Sequence, residues 1–486
     1  DPDVIRVEDT YYMVSTTMHF MPGCEILQSF DLVHWEHATY VYETLDHTDA
    51  QQLKSGQNIY GQGMWAASLR YHEGRFYICF VANDTRKTYL YTSEKIDGPW
   101  KKQLIEGFYH DGSLLFDEDG RNYIVYGNDE IWITELNEDL TAPKKDGLHR
   151  LLVSDHKNPK LGYEGSHIQK INGYYYIFLI HSLRDRWMRT EACFYSDSLE
   201  GEFTGGDVLC DDRGYCGQGV AQGGIVDTPD GKWYAMLFQD SGAVGRLPIL
   251  LPVTWKDHFP VFGQNGHVPE EIEVHSTRPG YIYQPLVGSD DFCNGLLPRW
   301  QFNHDPDPQY YHLDALQGTY TITTREVCTE LTQAVNTLTQ RMSYPSCAAE
   351  VTVDASALKD GDVAGLCAFQ GCYAAVGITK HHGKYEVLML DKKEDGILDM
   401  TEGTVVESHQ MDFRLEADFC NMKDEARCYY RVNKGDWLPI GTVHKLYFKL
   451  DHFTGCRFGL FCYAAEETGG SACFRDFKYY DVDEIS

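Results

Sequence analysis

At 486 residues the chain exceeds one typical domain, and 33 Tyr, 23 Phe, 9 Trp and 44 Gly without a run of about 18 apolar residues describe an aromatic-rich, turn-rich protein with no membrane-spanning helix. A formal net charge of −31 repels nucleic acid and anionic lipid and leaves a neutral or cationic small molecule as the easier partner, although most of that charge is a solvated surface. Fifteen cysteines, an odd number without CxxC spacing, suggest neither a disulfide framework nor a thiolate zinc site; reduced thiols fit a cytoplasmic protein. The composition is silent on oligomeric state.

The chain opens at Asp1-Pro2-Asp3, without Met and directly in a strand pattern, so that further residues are expected upstream. A repeat follows at once: a turn pair, a residue that is usually aromatic, then Tyr and an apolar run. Its copies are Glu8-Asp9-Thr10-Tyr11-Tyr12, Glu73-Gly74-Arg75-Phe76-Tyr77, Asp119-Gly120-Arg121-Asn122-Tyr123, Asn172-Gly173-Tyr174-Tyr175-Tyr176 and Asp230-Gly231-Lys232-Trp233-Tyr234. Each reads as a hairpin, because Asp-Gly and Asn-Gly supply positive φ and the aromatic residues favour the next strand. The five tyrosines lie 46 to 65 residues apart, the period of four-stranded propeller blades with insertions, so residues 1–285 are expected to form a five-bladed β-propeller.

A weaker repeat (Ser29 to Trp35, Ser93 to Trp100, Ser196 to Phe203) reads as the turn between the outer strands of a blade. The pattern stops after Phe262-Gly263, and His275 to Pro285 has linker composition. Residues 286–486 then alternate apolar and polar, as in Lys384-Tyr385-Glu386-Val387-Leu388-Met389-Leu390, and are expected to form a β-sandwich of jelly-roll type. The chain is thus all-β.

In a propeller the innermost strand of each blade lines the channel, so equivalent positions on those strands converge. Twelve residues before the repeat tyrosines stand Trp65, Asp111, Glu164 and Gln222, and eleven before the first stands Asp1. With 73 acidic residues in 486, three carboxylates among five equivalent positions are more than chance provides. Hydrolysis of a glycosidic bond needs an acid on the leaving oxygen and, with inversion, a base that activates water across the ring.

The residues around these positions carry a family resemblance. Asp1-Pro2-Asp3-Val4-Ile5-Arg6, His110-Asp111-Gly112-Ser113 and Tyr163-Glu164-Gly165-Ser166-His167 resemble, in order, the motifs of glycoside hydrolase family 43, the β-xylosidase and α-L-arabinofuranosidase group. The resemblance implies Asp1 as general base, Glu164 as general acid and Asp111 as the neighbour that orients the acid and keeps it protonated. It implies Trp65, in Met64-Trp65-Ala66, as a sugar-contacting wall, and Arg246 as a group reaching the substrate or the base. Phe20 and His19, in the next loop of the first blade, are further pocket candidates, and Asp3 is the alternative base. Phe369 is the candidate for an aromatic residue completing the pocket from the sandwich.

Many relatives place a His of the fifth blade beside an axial metal ion; here Gln222 takes that position, an oxygen donor suited to calcium rather than zinc. A calcium ion at Gln222, or in the sandwich near Asp290, Asp291 and Asp476, is therefore an open expectation. The implied substrates are xylo-oligosaccharides or arabinoxylan fragments, cut by an exo-acting inverting enzyme. Two rivals stand beside this reading. One is an endo-acting arabinanase or fructan hydrolase of similar fold, although the Asn-Asp-Pro-Asn opening of the fructan group is missing. The other is a non-catalytic sugar-binding propeller, which would repeat one residue at all five positions where this chain has different ones.

Overall fold

The computed structural model describes residues 1–481. Five four-stranded antiparallel sheets, each in strict chain order, make the propeller. The first blade consists of Asp3–Val7, Thr10–Val14, Gly23–Ser29 and Glu36–Tyr42; the last consists of Ala221–Asp227, Trp233–Asp240, Arg246–Lys256 and Phe259–Phe262. The repeated turn joins the first two strands of every blade. Glu8-Asp9, Glu73-Gly74 and Asn172-Gly173 are two-residue loops, and in the last two pairs both residues have positive φ, which matches the twist of the flanking strands. Each repeat tyrosine pairs with the inner strand, as in Tyr77 opposite Arg70 and Tyr176 opposite Gln169.

The propeller has no single core. Its apolar residues gather in clusters that lie one between each pair of neighbouring blades, such as Val14, Ile26, Leu69 and Phe80 between the first and second. A second strand is therefore covered on both faces, which is why Tyr174–Ser182 reads as a continuous apolar run rather than an alternating one. Burying each such side chain stabilises the ring by about 1.5–3 kcal/mol.

No strand is exchanged between the first and last blades. The ring closes through their shared cluster, through the Arg6–Asp227 ion pair at 2.5 Å, and through the segment that follows the propeller. In that segment the Tyr234 hydroxyl donates to the Glu273 carbonyl (2.9 Å), Thr277 N donates to the Phe30 carbonyl (2.8 Å), and the Arg278 guanidinium donates to Asp9 (2.8 Å). The stretch of linker composition is thus a strap bonded across the seam of the ring.

Beyond the strap, a seven-stranded and a nine-stranded sheet pack face to face around one large apolar cluster. The nine-stranded sheet takes one strand from the propeller: Phe20–Met21 pairs antiparallel with Gln301–Asn303. Secondary structure apart from strands is limited, among the described residues, to four short 3-10 turns.

Candidate active site

All five inner strands begin at the same end of the channel, and their starting residues form its mouth. Asp1, Trp65 and Asp111 lie two or three residues before the strands Asp3–Val7, Ser68–His72 and Ser113–Phe116; Glu164 opens Glu164–Ile171, and Gln222 is second in Ala221–Asp227. Two matching bulges aim the last pair. Glu164 and His167 face Ile180 and Phe178, and Ala221 and Gly224 face Phe238 and Met236, so each inner strand carries one extra residue at the mouth. Within these bulges Gly165 and Gln222 adopt φ of +66° and +64°, and Asp111, ahead of an unbulged strand, adopts +48°. At Gly165 a Cβ would lie 2.7 Å from the Gln222 side chain, so the Glu-Gly pair is required by the closeness of blades four and five. Glu191, fully buried, accepts the Gln222 main-chain N–H at 2.7 Å and so props the bulge; burial pushes its carboxyl well above the usual range.

Two groups of charges share the mouth. In the first, Gly165 N donates to Asp111 at 3.0 Å, Asn128 Nδ2 donates to Glu164 at 3.0 Å, and His110 Nε2 stands 3.6 Å from both carboxylates. The charge of Asp111 holds the His110 imidazole up at about 9, against the opposing effect of its burial, while burial and the Glu164 charge raise Asp111. In the second, Asp1 accepts from Thr16 Oγ1 (2.5 Å) and from Arg246. Asp240 pairs with Arg246 in the strand ladder, accepts its Nε at 3.3 Å and also holds the buried Arg189. The chain Asp1–Arg246–Asp240–Arg189 alternates in sign, which offsets the cost of burying each member. Trp65 keeps its buried indole N–H without a protein partner and faces the mouth beside His110, 6.4 Å between ring centroids.

The sandwich supplies the roof. Phe453 packs edge-on against Trp65 (5.3 Å) and lies 4.3 Å from the Arg246 guanidinium. Its loop reaches the propeller through two glycines: Gly245 (φ +98°) and Gly455 (φ +101°) bring their backbones into contact, and a Cβ on Gly455 would fall 2.1 Å from the Val244 carbonyl oxygen. Cys456 N then donates to the Ala243 carbonyl at 2.8 Å. From Asp1 and Arg246 a cavity of about 820 Å³ continues along the seam of the first and last blades beneath Arg341–Tyr344 of the sandwich.

Several expectations are corrected here. Phe20 is fully buried in the shared sheet with Arg457 3.7 Å from its ring, and His19 is fully buried among Tyr60, His304 and His452; neither lines the mouth. Phe369 ends the core strand Asp362–Phe369 and is also buried. Phe369 and His19 pack on His452, the neighbour of Phe453, and Phe20 packs on His19 at 4.3 Å. Asp3 points to the second blade, where it accepts from Leu69 N (2.7 Å) and Arg70 (2.8 Å).

Among the described residues, His110, Asp111 and Glu164 are the one group of three His, Cys, Asp or Glu with candidate metal-ligating atoms within 4.8 Å of one another. Gln222 offers a single neutral amide oxygen, and calcium takes about six to eight. In the sandwich, Asp290 already accepts from Phe292 N and from Trp300 Nε1, both at 2.8 Å. Neither set of side chains on its own builds a cage for that ion.

His110, Asn128, Thr16, Asp240 and Phe453 were not singled out by the blade register. His110 adjoins a register position and was within reach. Phe453 had one signal: an aromatic residue in the polar, turn-rich stretch Asp451-His452-Phe453-Thr454-Gly455, outside any strand period.

Comparison with known proteins agrees with this architecture. The family model described as glycosyl hydrolases family 43 matches residues 1–260, and that described as the beta xylosidase C-terminal concanavalin A-like domain matches residues 289–480. A β-xylosidase of Formosa agariphila is 26% identical over 545 residues, covering 99% of this chain and 87% of that protein. A xylosidase/arabinosidase of Butyrivibrio fibrisolvens is 24% identical, over 100% of this chain and 97% of its own length. Among solved structures, a bifunctional GH43-CE protein of Bacteroides eggerthii superimposes with a TM-score of 0.91 at 42% identity; all of this chain is covered, and it spans 62% of that one. Matched over residues 1–260, more than half of its length, the chain belongs to glycosyl hydrolase family 43.

Proposed function

We propose that the protein is an exo-acting, inverting glycosidase that releases terminal β-D-xylose, α-L-arabinofuranose or both from xylo-oligosaccharides or arabinoxylan fragments. The observation that carries this reading is the convergence of Asp1 and Glu164 at one channel mouth, held by separate charge networks and roofed by Phe453. The names of the relatives from Formosa agariphila and Butyrivibrio fibrisolvens support the choice of sugars.

In this mechanism Asp1, kept anionic by Arg246 and Thr16, takes the proton of the attacking water. Glu164 gives its proton to the departing oxygen, with Asn128 fixing its orientation. Asp111 and His110 set the charge around it. The terminal sugar packs on Trp65 and Phe453, and its hydroxyls take up the free hydrogen-bonding capacity of Trp65 and Arg246. A roof over Trp65 suits a pocket that accepts a chain end better than a groove that accepts its middle.

The test is hydrolysis of aryl β-D-xyloside and aryl α-L-arabinofuranoside by the intact protein and by Glu164→Gln, with the first-formed anomer followed by NMR. Turnover with inversion, nearly lost in the variant, is the expected result. Retention, or an undiminished variant, overturns the assigned roles; failure on both substrates overturns the exo-pentosidase reading. Rates measured with EDTA test the calcium expectation: a loss restored by added Ca²⁺ supports it, and unchanged rates remove it.

A further inference from the structure

Of the nine tryptophans, Trp187 alone is exposed, with 44% of its surface accessible, although the indole is a side chain that folding normally covers. It stands in the turn between Tyr174–Ser182 and Arg189–Ser196, the second and third strands of the blade whose inner strand begins with Glu164. The register locates it. Glu164 pairs with Ile180, and Ser182 pairs with Arg189, so the turn rises from a point about 7 Å beyond Glu164 along the strand, at the mouth end of the channel.

The turn is built rather than loose. Leu183 N donates to the Met188 carbonyl (3.1 Å), Met188 N to Ser182 Oγ (2.9 Å) and Arg184 Nη2 to the Lys157 carbonyl (3.0 Å), while Arg184 also pairs with Asp155. One face of the indole lies 5.3 Å from the guanidinium of Arg189, the last member of the charge chain that begins at Asp1. A half-open aromatic face with exposed Arg186 and Asp185 in the same turn, which can donate to and accept from hydroxyls, is the chemistry that recognises a neutral sugar ring.

We propose that Trp187 is the stacking platform for the leaving-group side of the substrate, and that it makes the enzyme favour oligosaccharides over substrates with a minimal leaving group. This rests on the proposed function, in which Glu164 protonates the leaving oxygen, so the departing chain passes over the acid's own blade. Trp187 is a specificity-determining residue in this account and takes no part in the proton transfers.

The test compares kcat/KM for xylotriose and for β-D-xylosyl fluoride, whose leaving group reaches no platform, in the wild type, Trp187→Ala and Trp187→Phe. The alanine variant is expected to lose about tenfold on xylotriose and less than twofold on the fluoride, with the phenylalanine variant between. Equal losses on both substrates, or none, overturn the proposal while leaving the function intact. A wild type inactive on both overturns the function and this inference with it. As a second readout, xylotetraose binding to Glu164→Gln is expected to change tryptophan fluorescence, and the added Trp187→Ala change is expected to reduce that signal, leaving the part due to Trp65; an unchanged signal counts against the platform.

Discussion

At the end where the inner strands begin, two strands are bulged, Trp65 keeps an unpartnered indole N–H, and charges are gathered out of water. At the end where the same strands turn back, the ladders are regular, the turns are short, and several charged and aromatic groups are paired. Arg6 meets Asp227, Lys170 meets Asp117 at 2.6 Å, and His72 stacks on Phe116 at 4.6 Å. A cavity of about 300 Å³ at that end is lined by ordinary strand residues. The two ends share one backbone architecture, so the difference between them is the cost of function: bulged strands and desolvated charge are concentrated where substrate binding can use them, and the blade clusters supply the stability that tolerates them.

The largest effect that could break this comparison is at Glu164. Glu164→Gln is expected to lower kcat by about 10²–10⁴-fold while leaving the fold intact, whereas Lys170→Met at the opposite end should change activity less than twofold; similar losses in both would erase the distinction. Phe453→Ala, which opens the roof, is expected to reduce kcat/KM roughly tenfold to a hundredfold by loosening the bound sugar. Steady-state kinetics on an aryl xyloside would show it, and an unaffected variant would remove the sandwich from the site.

The pH dependence sharpens the contrast further. His110 is held at about 9 when folded, against 6.5 for an unperturbed imidazole, so its contribution is fully present below pH 6.5 and is lost as pH rises through about 9. Thermal unfolding is expected to show stability falling by about 1–3 kcal/mol across that window, and His110→Asn to lack that part of the slope. Gly165→Ala places a Cβ 2.7 Å from Gln222 at φ +66° and is expected to cost about 1–3 kcal/mol together with some activity. The smallest effect belongs to the regular end: Arg6→Met removes a partly exposed ion pair and is expected to cost about 0–1 kcal/mol with activity unchanged. A larger loss would mean that the Arg6–Asp227 pair, rather than the apolar seam and the strap, closes the ring.

Blade number and strand order were legible because hairpin turns and covered strands leave local marks: Asn172-Gly173 before Tyr174-Tyr175-Tyr176 states its geometry without reference to the rest of the chain. The ring of Asp1, Trp65, Asp111, Glu164 and Gln222 was legible for the same reason, since equivalent positions in repeated units converge by symmetry. Phe20 and His19 were assigned to the pocket on proximity in sequence and Phe369 as an aromatic residue of a sandwich loop, and each is instead buried. Nothing local distinguishes a loop aromatic that faces solvent from one covered by another domain.

The sequence by itself determined the all-β architecture, the five blades and the register that aligns the carboxylates, because these rest on turn chemistry and short-range periodicity. Only the tertiary structure decided which aromatic residue roofs the pocket, how Arg246 is tied through Asp240 to Arg189, and that a propeller strand enters the sandwich sheet. Those features join residues separated by up to several hundred positions, and they depend on two surfaces fitting together, a relation that no local pattern records.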